Sequence, residues 1–255
     1  LRLVDAQGRP RANFFVENCE FNGAGYVIDC NSNGRCVVRY NTINGQMKID
    51  GHGKASNTPP RGVRHMEIYN NHWTAKAGYY TTIELRGGTA RIFNNVSDTT
   101  QTTWQFREYA ATNTWPNFNN RCQCPGDYPI DDQIGVGMDP KSPASEPVYA
   151  WNNTELGNQI TWARGDWLLD GKNVCQTDAQ CGPDYTAITQ ISQDRDYFAS
   201  AVKPAAMSDY RPYICPHPLV GDGVCLENVS GRSGYKASAE VTVAAPSNLR
   251  VAGEN

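Results

Sequence analysis

Three acidic residues occupy matching places in three similar segments, Val27-Ile28-Asp29, Lys48-Ile49-Asp50-Gly51-His52-Gly53 and Ile83-Glu84-Leu85-Arg86-Gly87-Gly88. Aligned on their isoleucines, Asp29, Asp50 and Glu84 fall in one column. On neighbouring strands such carboxylates would stand about 5 Å apart and repel, so they need a cation, a basic partner or a raised pKa. A calcium ion held by Asp29, Asp50 and Glu84 would answer this, since Ca²⁺ takes oxygen ligands. Salt bridges from Lys48, Arg61, Arg64 or Arg86 would answer it equally well. His52, with an ordinary pKa near 6.5, adds a general acid or base, and a carboxylate pair roughly 5–9 Å apart would suit a glycoside hydrolase. The glycines of these segments would let a ligand approach the backbone. The plainer reading is that Asp50, His52 and Arg86 fix turns.

A repeated motif supplies the elements that would position this column. A short apolar strand closed by a paired asparagine occurs as Phe14–Cys19, Cys36–Asn41, Met66–Asn71, Ala90–Asn95 and Val148–Asn153. The closing residues Cys19, Asn41, Asn71, Asn95 and Asn153 are 22, 30, 24 and 58 positions apart. One short strand every ~20–30 residues is the mark of a stacked solenoid. Asparagine at the closing place tolerates a left-handed turn, and its amide can bond to the rungs above and below. The expected fold is therefore all-β, a parallel β-helix with an asparagine ladder. The longest step is either one rung with an excursion or two rungs with one degraded.

Strand alternation then sorts the side chains. Val16, Val38, Ile68, Ile92 and Ala150 should face inward. One outward column reads Glu17, Arg39, Tyr69, Phe93, Trp151 and the other Phe15, Val37, Glu67, Arg91, Tyr149. Glu17 should meet Arg39, and Glu67 should meet Arg91, across rungs. The file Tyr69, Phe93, Trp151, flanked by Tyr149, Glu67 and Arg91, is an apolar patch of the kind a monomer rarely leaves bare. It reads either as a platform for sugar rings or as a face buried under the long segment 99–146. That segment breaks the pattern and carries Trp104, Phe106, Tyr109, Trp115, Phe118 and Tyr128, as a binding wall or as a satellite core. A second excursion, 160–190, carries Trp162 and Trp167.

A length of 255 residues with a formal charge of −3 gives no basic field for nucleic acid, and no apolar run reaches the ~18 residues of a membrane span. The nine cysteines lack zinc-ligand spacing, Cys122-Gln-Cys124 being too tight, and favour disulfides in an oxidising compartment. The short polar loops pair Cys175 with Cys181, Cys215 with Cys225 and Cys30 with Cys36. Cys19, Cys122 and Cys124 remain, with Cys19 placed to be buried and free. His65 and His72 flank a ladder strand, and His217 should pack a closing segment. The sequon asparagines Asn95 and Asn152 coincide with the ladder motif, whereas Asn228 lies in the tail. The expected organisation is a β-helix over 1–220, with N-terminal rungs or a cap missing. A tail over 221–255 would then run through Ala245-Pro246-Ser247 towards a further module or a homo-oligomeric assembly.

The segments His52-Gly53, Arg61-Gly62, Glu67-Ile68-Tyr69-Asn70-Asn71 and Arg86-Gly87-Gly88-Thr89 resemble secreted right-handed parallel β-helix repeat, or pectate-lyase-like, proteins. Tyr210-Arg211-Pro212-Tyr213 with Pro216-His217-Pro218-Leu219 is similar to their closing segment. The resemblance implies the fold over about residues 14–220, and for lyases on it a mechanism. A cation or arginine neutralises a uronate carboxylate, a base removes the C5 proton, and the leaving group departs by β-elimination. On this chain His52 would be the base or acid, Arg64 and Arg86 the neutralising groups, and Asp50 their neighbour. The usual pectate-lyase signatures do not occur as a set. The expectation is an extracellular polysaccharide-binding protein, catalytic as a lyase or hydrolase, against a non-catalytic structural or adhesive module of a larger assembly.

Overall fold

A computed structural model describes residues 13–53, 62–76, 81–101, 103–108, 133–139, 142–166 and 191–217. In chain order the strands are β1 (Phe14–Glu17), β2 (Glu20–Cys30), β3 (Arg35–Arg39), β4 (Thr42–Gly51), β5 (His65–Tyr69), β6 (His72–Trp73), β7 (Ile83–Leu85), β8 (Thr89–Phe93) and β9 (Val96–Ser97). They continue as β10 (Trp104–Glu108), β11 (Val136–Asp139), β12 (Ser142–Ser145), β13 (Val148–Trp151), β14 (Thr154–Glu155), β15 (Asn158–Gln159), β16 (Trp162–Asp166) and β17 (Tyr197–Ser200). One parallel sheet runs β1-β3-β5-β8-β13-β17, and a second is built on β4.

The second sheet folds along its length, because β2 and β4 are long enough to turn a corner. Thr42 and Ile43 of β4 pair with β6, whereas Ile49–Gly51 pair with β7. The register columns therefore resolve into three faces. The first face holds β1, β3, β5, β8, β13 and β17. The second holds the start of β2 and β4 with β6, β9 and β14. The third holds the end of β2 and β4 with β7, β10 and β16. The fold is a parallel β-helix whose rungs each cross all three faces, with β17 opening a further rung after β13. The step of 58 residues between Asn95 and Asn153 is a single rung with an excursion, because β8 pairs directly with β13.

Alternation sets the core. Val38, Ile68, Ile92 and Ala150 point inward from the first face at 0–1 % exposure, with Val16 partly buried at the end of the stack. Ile49, Ile83 and Trp104 do the same from the third face, and Trp73 meets Trp104 edge-on at 5.2 Å between them. Trp104 and Phe106 thus belong to the main core through β10, where Phe106 stacks on Trp162 at 4.5 Å, rather than to a satellite core or a binding wall. Tyr109, Trp115, Phe118, Tyr128 and Trp167 lie outside the described residues.

The paired asparagine divides its labour. The first of each pair takes the left-handed backbone: Asn18, Asn70, Asn94 and Asn152 have φ between 50° and 55°, with Tyr40 at 56° in the remaining rung. Asparagine adopts this conformation at low cost because its short side chain bonds locally. The second builds the ladder. The side-chain nitrogens of Asn41, Asn71 and Asn95 each donate to the Oδ1 of the next, at 2.9, 3.0 and 2.8 Å, ending on Asn153. The same amides donate to the carbonyls of Val16, Val38 and Ile68 at 2.9–3.0 Å. Asn71 and Asn95 are fully buried, where unmet amides would be costly. Cys19 holds the end position with only its backbone N–H, 3.0 Å from Asn41 Oδ1, and its free thiol is exposed rather than buried.

Beyond β17 the chain turns back over the first face as an extended strap, residues 201–217, with one 3₁₀ turn at Ala205–Met207. Cys30 and Cys36 form a disulfide across the tight turn that joins β2 to β3. Cys215 is also disulfide-bonded. Cys225, Cys175 and Cys181 lie outside the described residues, as does the tail from 221 onward.

Candidate functional site

The acidic column exists in the expected register: Asp29 pairs with Asp50 and Asp50 with Glu84 on the third face. Its electrostatics are settled by bases from the same strands. Arg86, one residue past β7, makes a two-pronged salt bridge to both oxygens of Asp50. Lys48 lies 2.8 Å from Glu84 Oε2 and 3.4 Å from Asp50 Oδ2, with its ammonium 4.8 Å from the centre of the Tyr26 ring. Asp50 is 0 % exposed and Glu84 3 %. Burial holds the Asp50 carboxyl above its ordinary value, with Arg86 and Lys48 pulling the other way without cancelling it. Arg86 and Lys48 are held above their ordinary values by the carboxylates, against the pull of burial. Asp29, on β2, is exposed.

These residues do not suit a calcium ion. Two organic cations already lie against Asp50 and Glu84, and a metal would have to displace a buried lysine and a two-pronged arginine. Among the described residues no group of three His, Cys, Asp or Glu side chains gathers as a metal site.

His52 and Arg64 sit at the corner between the third and first faces. His52 follows β4; its backbone N–H donates to the Cys30 carbonyl at 2.8 Å, and its Nδ1 lies 2.6 Å from the Gly53 oxygen. Val63 N–H donates back to the His52 carbonyl at 2.7 Å. The glycines here make room for the chain itself. A Cβ on Gly62 would strike the His52 carbonyl, and Gly88, at φ +66°, packs against the carbonyls of Val63 and Arg64. Arg64 reaches Glu146 Oε2 at 3.5 Å, while its Nη1 is buried with no hydrogen bond among the described residues. Arg61 lies outside the described residues. Asp50 and Arg86 are thus joined directly, whereas the imidazole of His52 binds a local carbonyl and Arg64 faces Glu146.

The aromatic file is formed, and it is covered. Tyr69, Phe93 and Trp151 stack in parallel with ring centres 4.6 and 4.4 Å apart, each 1–5 % exposed. Among the described residues the cover is the strap. Tyr210 stands edge-on to Phe93 and Trp151 at 5.9 and 6.1 Å, and its hydroxyl donates to Glu67 Oε2 at 2.7 Å. An apolar face with this cover offers no open platform for a sugar ring. Arg39, fully buried, binds Glu17 and Tyr69 and donates to the strap carbonyls of Tyr213 and Ile214 at 2.7 and 2.9 Å. Glu17 in turn accepts the His217 N–H at 2.8 Å.

Glu17 and Arg39 therefore pair as alternation requires, but Glu67 and Arg91 part ways despite their register. Glu67 is taken by Tyr210, while Arg91 donates to the carbonyls of Ala90 and Pro147 and lies 5.1 Å from the Tyr149 ring. Tyr149, half-buried, stacks on Phe198 at 5.2 Å. His65 contacts Thr89 Oγ1 at 2.6 Å and His72 contacts Asp98 at 2.6 Å. Of the sequon asparagines, Asn95 is buried in the ladder and Asn152 is exposed.

Neither the models of known protein families, nor curated proteins, nor solved structures match this chain.

Proposed function

We propose that this chain is a non-catalytic extracellular module, a β-helical scaffold with an adhesive surface within a larger assembly. One observation carries the reading: Asp50 and Arg86, two of the groups that a β-elimination would use, bind each other between rungs. Asp50 is buried against Arg86 and Lys48, and the His52 ring is tied to a carbonyl one residue away. A general base must reach the proton it takes, and a neutralising arginine must have its fork open to the substrate. The extracellular placement is supported by the Cys30–Cys36 bridge and the bonded Cys215, since such bridges persist in oxidising compartments.

The test is incubation of the chain with a panel of uronate polysaccharides while absorbance of the unsaturated product is followed. No product is expected from any of them. Product from even one, lost on His52→Ala with the fold retained, would overturn the scaffold reading in favour of a lyase.

A further inference from the structure

The chain carries three sequons for N-linked glycosylation, Asn95-Val96-Ser97, Asn152-Asn153-Thr154 and Asn228-Val229-Ser230, and the last lies outside the described residues. The first two sit at the same corner, between the first and second faces and one rung apart. The fold treats them in opposite ways. Asn95 is the second residue of its asparagine pair and is fully buried. Its Nδ2 donates to the Ile68 carbonyl at 2.9 Å and to Asn153 Oδ1 at 2.8 Å, so both hydrogens are spent in the ladder. Ser97, also buried, donates its hydroxyl to the Thr99 carbonyl at 2.7 Å. A sugar on Asn95 would replace one ladder hydrogen and need space inside a packed rung, so modification there and the fold exclude each other. Asn152 is the first residue of its pair. It takes the left-handed backbone at φ 50° and is exposed. Its Nδ2 donates to Asn94 Oδ1 at 2.8 Å, an outer contact that uses one of its two hydrogens.

Two of the exposed large apolar side chains belong to this stretch of the rungs. Leu156, four positions after Asn152 in the turn that follows β14, is 55 % exposed. Val202 is 72 % exposed and lies two positions after Ser200, whose carbonyl accepts the Asn152 N–H at 3.2 Å. An attached glycan is bulky and solubilising, and the C–H faces of its first sugars can lie over apolar surface that water would otherwise meet. We propose, on the extracellular placement given above, that Asn152 is an N-glycosylation site and that Asn95 is bare in every folded molecule. The donor is a lipid-linked oligosaccharide of a secretory pathway. Asn152 Nδ2 forms the bond to the anomeric carbon of the first sugar, and the lipid pyrophosphate leaves with that carbon's former bonding electrons. The nitrogen gives up one proton and keeps the other, so the bond to Asn94 can persist.

The experiment is secretion of the full chain from a eukaryotic cell line, recovery of the folded protein, and release of its glycans with peptide N-glycosidase in heavy-oxygen water. Each asparagine that carried a glycan becomes a labelled aspartate, read by peptide mass mapping. Label is expected at position 152 in most molecules and at position 95 in none. Thr154→Ala breaks the sequon but leaves Asn152 and its turn in place; it should abolish the label at 152 and lower the intact mass by one glycan. Asn152→Gln should lose the same glycan, and melting curves establish that both variants are folded. An unlabelled Asn152 in the folded wild type, label at 152 that survives Thr154→Ala, or label at Asn95 in folded protein would overturn the proposal. A chain secreted with its Cys30–Cys36 bridge formed and Asn152 bare sinks the glycan alone. The scaffold reading then stands, since it falls only to product formation from a uronate polysaccharide.

Discussion

Asn71→Ala is the sharpest test of what holds the rungs in register. Asn71 donates to Asn95 Oδ1 and to the Val38 carbonyl at 3.0 and 2.9 Å, and accepts from the Asn41 side chain and backbone N–H at 2.9 and 3.2 Å. Truncation leaves Asn95 Oδ1 with the Asn71 N–H at 3.1 Å, and the Asn41 amide with the Val16 carbonyl at 3.0 Å. The Val38 carbonyl loses its side-chain donor, and the backbone N–H of Asn41 loses its acceptor outright. Each unsatisfied buried group costs about 1–3 kcal/mol, and the site is fully buried, so the loss should be roughly 2–4 kcal/mol. For a chain of this size that lowers Tm by about 5–12 °C. Differential scanning calorimetry on wild type, Asn71→Ala and Asn71→Asp measures it. The aspartate keeps the shape but loses both donors, so near neutral pH it should be at least as harmful. A melting point unchanged within 1–2 °C in the alanine variant, a small fraction of the expected shift, would refute the ladder as a source of stability.

Other outcomes follow from the same geometry. Cys19→Asn should extend the ladder by one amide towards Asn41 Oδ1 and raise stability by about 0.5–1 kcal/mol, read as a higher Tm. Arg39→Met leaves Glu17 uncompensated beneath the strap; it should cost about 3–5 kcal/mol and speed proteolysis within 201–217, followed by mass spectrometry. Arg86→Ala takes the two-pronged partner from the buried Asp50 carboxylate and leaves it only Lys48; it should destabilise by about 3 kcal/mol, whereas His52→Ala should stay within about 1 kcal/mol, and denaturant midpoints separate the two. Tyr69, Tyr210 and Lys48 all keep their protons longer in the fold than their ordinary values allow, burial being the chief cause for the tyrosines and Asp50 and Glu84 for the lysine. Raised folded values mean that the unfolded chain deprotonates first. Their contribution is complete below about pH 10 and is lost as pH rises beyond it, by up to about 1.4 kcal/mol per pH unit for each group. Urea midpoints between pH 9 and 11 should fall steeply, and less so in Tyr210→Phe.

What the sequence could reveal, it revealed through period. Inward valines and isoleucines, a closing asparagine and aligned acidic strands are local patterns, and each rung repeats them because each meets the same neighbours above and below. The register Asp29, Asp50, Glu84 and the pair Glu17–Arg39 follow from strand alternation alone. The ladder follows from one residue type in one place. The two asparagines of each pair were harder to separate, since left-handed backbone and ladder amide select the same residue. Tyr40, which takes φ 56° while Asn41 makes the ladder bonds, and Asn18, left-handed beside Cys19, distinguish the roles. Trp104 and Phe106 were obscured because β10 lies at the mouth of a long excursion, where no closing asparagine marks the rung.

The tertiary structure decided which side of each surface column meets solvent. The sequence by itself determined that Tyr69, Phe93 and Trp151 share an outer face. It could not say that a later segment, 201–217, lies across them, because the contacts of Tyr210 with Phe93, Trp151 and Glu67 obey no period. The same holds for charge. Alignment brought Asp50 beside Glu84, but whether a metal, an open substrate site or a salt bridge answers the column depends on side-chain reach. Arg86 and Lys48 reach it, while Arg64, equally basic in the sequence, turns at its corner towards Glu146. Repetition fixes a backbone through short-range rules. Cover and counter-charge come from single side chains whose neighbours are set only when the rungs have stacked.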